Sequence, residues 1–579
     1  MILKPVGDSV TPAAKDSKFP PKKTAVDVSS LEPSVDPEVF GTSNAQETTV
    51  MPESLPFHLL SVVQRVVDDK IPLSLINLED GKVYSSSEIP YMFAQSPEYV
   101  SLGKLNTSSE SNVNISKAIE VAVCSWTAFA MLSHRRGRSD VQYHELKGTS
   151  VYQLPSSDGV EKLKGFCRTA KSLGLNWAWA DTCCIDTSSS AELQESINSS
   201  FHWYRNSAIT IVYLADVAQP SPNAFHVSEW FKRGWTVHEL LAPSVIQFYL
   251  ANWSLYYPRA VSLADNDKSI PELRKLISDA TKVDERDMIS FIPGTDRVRE
   301  KFRWLSDRNT TKIEDMAYCL MGIFGVHLPI LYGERERAFT RLQEEIMKHS
   351  DDTSLFDWVG RPSTLNSFLA SQPNCFSEEP FMLLHDVLPI VSTRITDASA
   401  AQTSRTSRRE SLAFTLKVLG QFIGGEHFEA PTGHFIANGK LRVTLGSYRV
   451  DRIVPTSNVV KPPVDCYQYD IHAQDLQKMT ITTLQRLHVQ PEERRQWNYI
   501  LVRLREVDFL QSGVALGGFT ERDVKALYLK PFVAVLLEQA SQGVTVPCRR
   551  VLTVHRIVAQ PIQDASARRL HTSRMIVVE

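Results

Sequence analysis

Between Asn176 and Pro243 the chain alternates strand, helix, strand, helix, and this constrains the fold more than anything else in its 579 residues. Trp177–Asp181 is a short apolar and aromatic run that ends in an acid. Ser189 and Glu192 have the S-x-x-E spacing of a capping box, in which hydroxyl and carboxylate satisfy free amides at a helix start. Leu193, Ile197, Phe201 and Tyr204 then recur at helical spacing on one face. Ile209–Leu214 is a β-branched apolar run that reads as a buried strand. Two strands joined by a helix of this length form a βαβ unit, hence a parallel sheet.

The flanking sequence extends that pattern. Phe129–Ser133 reads as the first core strand. The series Val160, Leu163, Phe166, Cys167, Ala170 and Leu173 predicts a helix closed by Gly174. Val245–Tyr249 supplies a fourth strand after a tryptophan-rich helix. The expectation is an open, mainly parallel α/β sheet with flanking helices and right-handed crossovers. Before it, LSLINLEDGKVY reads as two strands around an Asp80–Gly81 turn, and SSESNVNIS as a polar linker. After it, Ile313, Met316, Ala317, Leu320, Met321 and Phe324 predict one amphipathic helix, and Phe339, Leu342 and Ile346 another.

From about Pro362 the character changes. AFTLKV, KLRVTLGSYRV, YILVRL, FVAVLL and RVLTVHRIV are short β-rich runs, so the C-terminal part reads as a mainly β domain. SRTSRRES (404–411) reads as a basic, serine-rich loop, with phosphorylation as the alternative. Residues 1–50, rich in Pro, Ser, Thr and Lys, read as a disordered arm whose PPKK is a solvated stretch ahead of a localisation signal. A net charge of −3 gives no bias toward nucleic acid or anionic membrane. No apolar run reaches the ~18 residues of a membrane span, and a soluble cytoplasmic protein is expected. Eight scattered cysteines lack a C-x-x-C pair, and adjacent Cys183 and Cys184 read as small buried residues.

The blocks WAWADTCCID, SINSSFHWYRNSAITIVYLADV, RGWTVHELLAP and IEDMAYCLMGIFGVHLPILYGERERAFTRLQEEI resemble the fungal heterokaryon-incompatibility (HET) domain over roughly Phe129 to Trp358. The resemblance implies a self/non-self recognition protein whose activated domain triggers programmed cell death, working through protein partners or self-association. The chain then divides into the arm 1–50, a small α+β preface and linker at 55–125, a HET-like effector at 126–358, and a mainly β accessory or regulatory domain at 362–579. Phosphate-binding G-x-x-x-x-G-K-[ST], G-x-G-x-x-G and H-E-x-x-H motifs are absent from the sequence.

Open parallel sheets bind ligands beyond the carboxyl ends of their strands. There the sequence places Ser133 and His134 after the first strand, Asp181 and Asp186 after the second, and Asp216 after the third. Trp235 and Glu239 follow, and their i, i+4 spacing sets them on one helix face. The segment MLSHRRGRSD also resembles the F-L-S-F-R-G-x-D stretch of Toll/interleukin-1 receptor (TIR) domains, and SEW…GWTVHELL resembles their third helix. In enzymatic TIR domains a glutamate of that helix serves NAD hydrolysis, and by position it corresponds to Glu239. The resemblance implies a TIR-like, Rossmann-like sheet, with NAD as a substrate and no cofactor or metal required.

Each candidate has a structural alternative. Glu239 is read either as a catalytic acid or as a partner of Arg233, His238 or Arg205. His134 is read as a hydrogen-bonded structural histidine ahead of a catalytic one, and Asp181 and Asp186 as braces of their loop ahead of ligand contacts. Gly234 interrupts the tryptophan-rich segment, so Trp235 is also read as opening a new helix and packing inward. Where HET relatives carry tryptophan, as in L-S-H-x-W, this chain has Arg136, which can stack or bind phosphate. Three functions remain open at this point: death signalling by protein contact, NAD hydrolysis at Glu239, and a non-catalytic scaffold.

Overall fold

Strands without a polar face must be covered on both sides, and the central strands of this chain have almost none. The computed structural model describes residues 57–105 and 112–377, and beyond them 435–437, 440–455, 467–473, 476–483, 487, 498–506, 532–539, 546–553, 557–561 and 572–578. Six strands form the first sheet: β1 (Ser74–Asn77), β2 (Val83–Ser85), β3 (Phe129–His134), β4 (Trp177–Trp179), β5 (Ile209–Leu214) and β6 (Ile246–Leu250). Their order is β2-β1-β4-β3-β5-β6. The strands β4, β3, β5 and β6 run parallel, and every residue of β3, β4 and β6 is buried.

The helices Asp158–Ser172, Ser190–Asn206 and Thr236–Leu241 make the crossovers from β3 to β4, β4 to β5 and β5 to β6. The first leads to one side of β3 and the last leads away on the other side of β5. The carboxyl ends of β3 and β5 therefore flank a topological switch point, where such sheets open a crevice.

Several local expectations hold. The first crossover helix ends where Gly174 takes φ +80°, a conformation open to glycine without steric cost. Ser189 caps the second by accepting the Glu192 amide at 3.3 Å, but the Glu192 carboxylate reaches the Asp186 amide at 2.8 Å instead of returning to Ser189. β1 and β2 form the hairpin around Asp80–Gly81, and β1 pairs antiparallel with β4, so the preface supplies one edge of the sheet.

Other expectations fail. The linker SSESNVNIS is helical from Asn112, where a helix runs to Trp126. The single helix over 313–324 is two short ones, Asp315–Tyr318 and Met321–Phe324. The carbonyls of Ile313, Glu314 and Ala317 accept amides three residues on, which tightens the turn and ends the α-helical ladder near Leu320. Arg337–His349 is a regular helix, as its spacing predicts.

Nine further strands form a second, almost wholly antiparallel sheet around the long strand Lys440–Pro455. KLRVTLGSYRV, YILVRL and FVAVLL fall on its strands Lys440–Pro455, Asn498–Glu506 and Phe532–Gln539. RVLTVHRIV overlaps two short strands, Cys548–Arg550 and Ile557–Pro561. The arm 1–50, AFTLKV and SRTSRRES lie outside the described residues. The cysteines at 124, 167, 183, 184, 319, 375 and 548 are free thiols, all but Cys124 buried. Among the described residues, no helix is long and apolar enough to cross a membrane.

Candidate functional site

Successive side chains of a strand point to opposite faces of its sheet, so Ser133 and His134 start two different networks at the end of β3. On one face, Ser133 Oγ donates to Glu239 Oε2, and Trp230 Nε1 donates to Ser133 Oγ at 2.8 Å. Ser133 and Trp230 are almost wholly buried, and Glu239 is 9% exposed. Trp230 lies on a 3-10 turn, Glu229–Lys232, and Glu239 on the six-residue helix that follows it. The two are separated at Gly234, whose missing side chain admits Thr310: a Cβ there would stand 2.5 Å from Thr310 Cγ2. Arg308 pins the start of the Glu239 helix by donating to Arg233 O at 2.9 Å and Thr236 Oγ1 at 2.8 Å.

Glu239 makes no ion pair among the described residues. Burial pushes its carboxyl up to about 7; the Ser133 hydrogen bond works against that rise, and the Asp181 charge adds to it. The neighbouring His238 is no partner of Glu239. Its ring lies against Tyr204 and Trp235, and burial pushes it down to about 3, leaving it neutral at physiological pH. Arg205 is turned away, donating to Phe291 O at 3.5 Å.

The second network runs over the other face and the sheet edge. His134 Nε2 lies 3.0 Å from Asp181 Oδ1, and Arg136 Nε donates to Asp181 Oδ2 at 2.6 Å. Burial works against the Asp181 charge, but Arg136 and His134 outweigh it and hold the carboxyl below the usual range. On the far side of the His134 ring, Lys162 Nζ stands 2.9 Å from Nδ1 and pairs with Asp140. Asp140 Oδ2 in turn accepts the Gly137 amide at 2.7 Å, which closes the loop carrying Arg136. Exposure rises outward, from 2% for the His134 side chain to 22% for Asp181 and 48% for Arg136.

Trp235 belongs to a third cluster. Its Nε1 donates to Asp315 Oδ2 at 3.2 Å, and Tyr332 OH donates to Asp315 Oδ1 at 3.0 Å. Lys312 lies 3.5 Å above the Tyr332 ring. Burial raises the Asp315 carboxyl, and Arg136 is among the charges that oppose the rise.

Two sequence candidates do not join these networks. Asp186 accepts the Ser188 amide at 2.9 Å and the Ser188 hydroxyl, a turn that leads into the helix Ser190–Asn206. Asp216 accepts the Ser228 hydroxyl and the Glu229 amide, both at 2.7 Å, and so caps the turn that carries Trp230. The tryptophan tied to Glu239 through Ser133 is thus Trp230 and not Trp235.

The family model "Heterokaryon incompatibility protein (HET)" matches residues 129–225, from the first residue of β3 to the segment beyond β5. The chain carries a HET domain. Over 243 residues it is 40% identical to "Vegetative incompatibility protein HET-E-1" of Podospora anserina, a match covering 40% of this chain and 17% of that relative. A second family model, "Domain of unknown function (DUF8212)", matches residues 337–388. No solved structure matches the chain. Within the HET match, sequence reasoning missed Asp140 and Lys162; beyond its end it missed Trp230, Asp315 and Tyr332. Trp230 had a signal, standing in the quoted SEW segment. Lys162 had none, because a lysine between Val160 and Leu163 looks like any solvent-facing helix residue.

Proposed function

We propose that this chain is an effector of heterokaryon incompatibility, and that its HET domain hydrolyses the nicotinamide–ribose bond of NAD through Glu239. The observation that carries the reading is a buried carboxyl with no ion pair among the described residues, at the switch point of a parallel sheet and within electrostatic reach of the half-exposed Arg136. The likeness to the Podospora incompatibility protein supports the biological role, and the TIR-like spacing around Ser133 and Glu239 supports the chemistry.

In the reaction the C1′–N bond breaks and neutral nicotinamide leaves with the electron pair. Water oxygen then bonds to C1′, and its extra proton is released. Positive charge builds on the ribose in an oxocarbenium-like transition state, which an ionised carboxylate held in a water-poor site stabilises. Ser133 donates to Glu239 and Trp230 donates to Ser133, so the chain of donors favours the ionised form and keeps the carboxylate in place. A carboxyl at about 7 is roughly half ionised at neutral pH, so turnover rises with pH through that value.

The test is to force clustering of the full chain with a fused oligomerisation tag and follow NAD and nicotinamide, with and without Glu239→Gln. The expected result is NAD loss with nicotinamide release, lowered by about 100-fold or more in the variant. Constant NAD while the clustered chain still kills cells rules out catalysis and leaves assembly with protein partners as the mode of action.

A further inference from the structure

Lys162 is the charged group of the site whose role nothing above explains. It stands on the crossover helix Asp158–Ser172, its side chain only 13% exposed, paired with an Asp140 that is 3% exposed. Lys162 faces the Asp140 carboxylate, which only accepts, as an ammonium donor, and an ammonium has three donors and no acceptor. The nitrogen that faces it must therefore offer a lone pair. That nitrogen is His134 Nδ1, at 2.9 Å. The ring proton is left on Nε2, which lies 3.0 Å from Asp181 Oδ1. Asp181 is ionised beside Arg136 and can only accept, so both ends of the ring require the same tautomer. Asp140 Oδ2 is 3.7 Å from Nδ1, too far to compete for a proton there.

We infer that Lys162 is a positioning residue that fixes His134 as the Nε2–H tautomer, and through it sets Asp181 and Arg136 at the carboxyl ends of β3 and β4, the edge at which Ser133 meets Glu239. His134 then has no lone pair to give a substrate and is no general base; it is a strut between a lysine and an aspartate. The groups that face its ring are Lys162 from the crossover helix, Asp140 from the loop after β3, and Asp181 from the loop after β4. Arg136 reaches it only through Asp181. Without Lys162, Nδ1 faces only the Asp140 carboxylate, an acceptor, so a hydrogen on Nδ1 is favoured there.

The link to Glu239 rests on the NAD reading, but the tautomer does not, and one experiment separates them. The full chain is labelled with 15N-histidine, and the His134 ring signals are assigned by their loss in His134→Gln. At neutral pH the wild type is expected to show a bare Nδ1 and a protonated Nε2, and Lys162→Met a protonated Nδ1. A wild-type ring protonated on Nδ1 overturns the inference, as does an unchanged ring in a folded Lys162→Met. Should that variant not fold, the wild-type spectrum alone decides. In the NAD assay Lys162→Met is expected to lower turnover about tenfold; a changed tautomer with full turnover overturns the link to Glu239. A wild type that does not consume NAD but shows the expected ring sinks the glycohydrolase reading and leaves the tautomer assignment standing.

Discussion

Two buried charges, Arg550 and Glu239, are handled in opposite ways. Arg550 is 7% exposed, where the second sheet meets the end of the α/β body. Its Nη1 donates to Phe356 O at 2.9 Å, its Nη2 donates to Trp358 O, and its guanidinium lies 3.7 Å above the Trp358 ring. Next to it, Arg299 Nε stands 3.2 Å from Asp357 Oδ2, and Thr353 Oγ1 donates to Leu504 O at 2.7 Å. Burial lowers Arg550 to about 9, still charged at neutral pH, and each contact supports that charge. Glu239 has one hydroxyl donor and no counter-ion among the described residues, and it sits at about 7. Arg550, which joins two surfaces, is surrounded by acceptors, whereas Glu239 is left short of partners, which is what the proposed reaction asks of it.

The largest expected effect breaks the first half of the comparison. Arg550→Ala strips the donors from Phe356 O and Trp358 O and removes the cation from the Trp358 face. A loss of about 4 kcal/mol is expected, the scale of breaking a buried charged contact. Denaturant unfolding followed by tryptophan fluorescence checks it. A loss near zero means that the seam is mere contact and the contrast with Glu239 is empty.

Glu239→Gln tests the other half, and its sign depends on pH. The folded carboxyl is raised from 4.5 to about 7, so the folded state binds this proton more tightly than the unfolded chain. Stability therefore falls as pH rises between those two values, reaching a deficit of about 3 kcal/mol above the folded value. The neutral amide escapes the deficit. The variant should be the more stable protein at alkaline pH, by about 3 kcal/mol, and lose that advantage once the wild-type acid is protonated. Paired thermal melts at acidic and alkaline pH give the answer; equal gaps at both show that Glu239 is not held against its charge.

Ser133→Ala has a smaller effect on the same centre. It leaves the Trp230 indole without its acceptor and Glu239 without its donor, at a cost of about 2 kcal/mol. Because the Ser133 hydrogen bond lowers the Glu239 carboxyl, the alkaline-going limb of a pH–rate profile should move further upward. An unmoved limb means that Ser133 does not tune Glu239.

The sheet was legible because its strands carry their own periodicity. The runs at Phe129, Trp177, Ile209 and Val245 announced four parallel strands, and Gly174 and Ser189 marked helix ends where the structure has them. Ser133, His134 and Asp181 followed from the rule that sites gather at strand ends. The partners did not follow, because Ser133 meets Glu239 across 106 residues and His134 meets Asp181 across 47, distances bridged by topology and not by local pattern. Helical spacing also selected Trp235, and the Glu239 amide does bond Trp235 O, but the Trp235 indole turns to Asp315 while Trp230 reaches Ser133 from the turn before Gly234. The pattern over 313–324 hid Asp315 in the same way, because an acid on one long amphipathic helix reads as a solvated face.

Asp216 is the finest test of the contrast, because its position at a strand end suggests chemistry while its bonds describe a cap. Both its oxygens are spent on the turn Glu229–Lys232, one on the Ser228 hydroxyl and one on the Glu229 amide. That turn carries Trp230, two bonds from Glu239. If Asp216 only braces, Asp216→Ala costs about 1 kcal/mol, in the range of a lost helix cap, and Asp216→Asn costs less because the amide oxygen still accepts one of the two donors. Turnover should then fall no further than Trp230 is displaced, with the same KM for NAD. A raised KM at unchanged thermal stability would put Asp216 on the ligand instead, and the switch point between β3 and β5 would then contact the ligand from both strands and not from β3 alone.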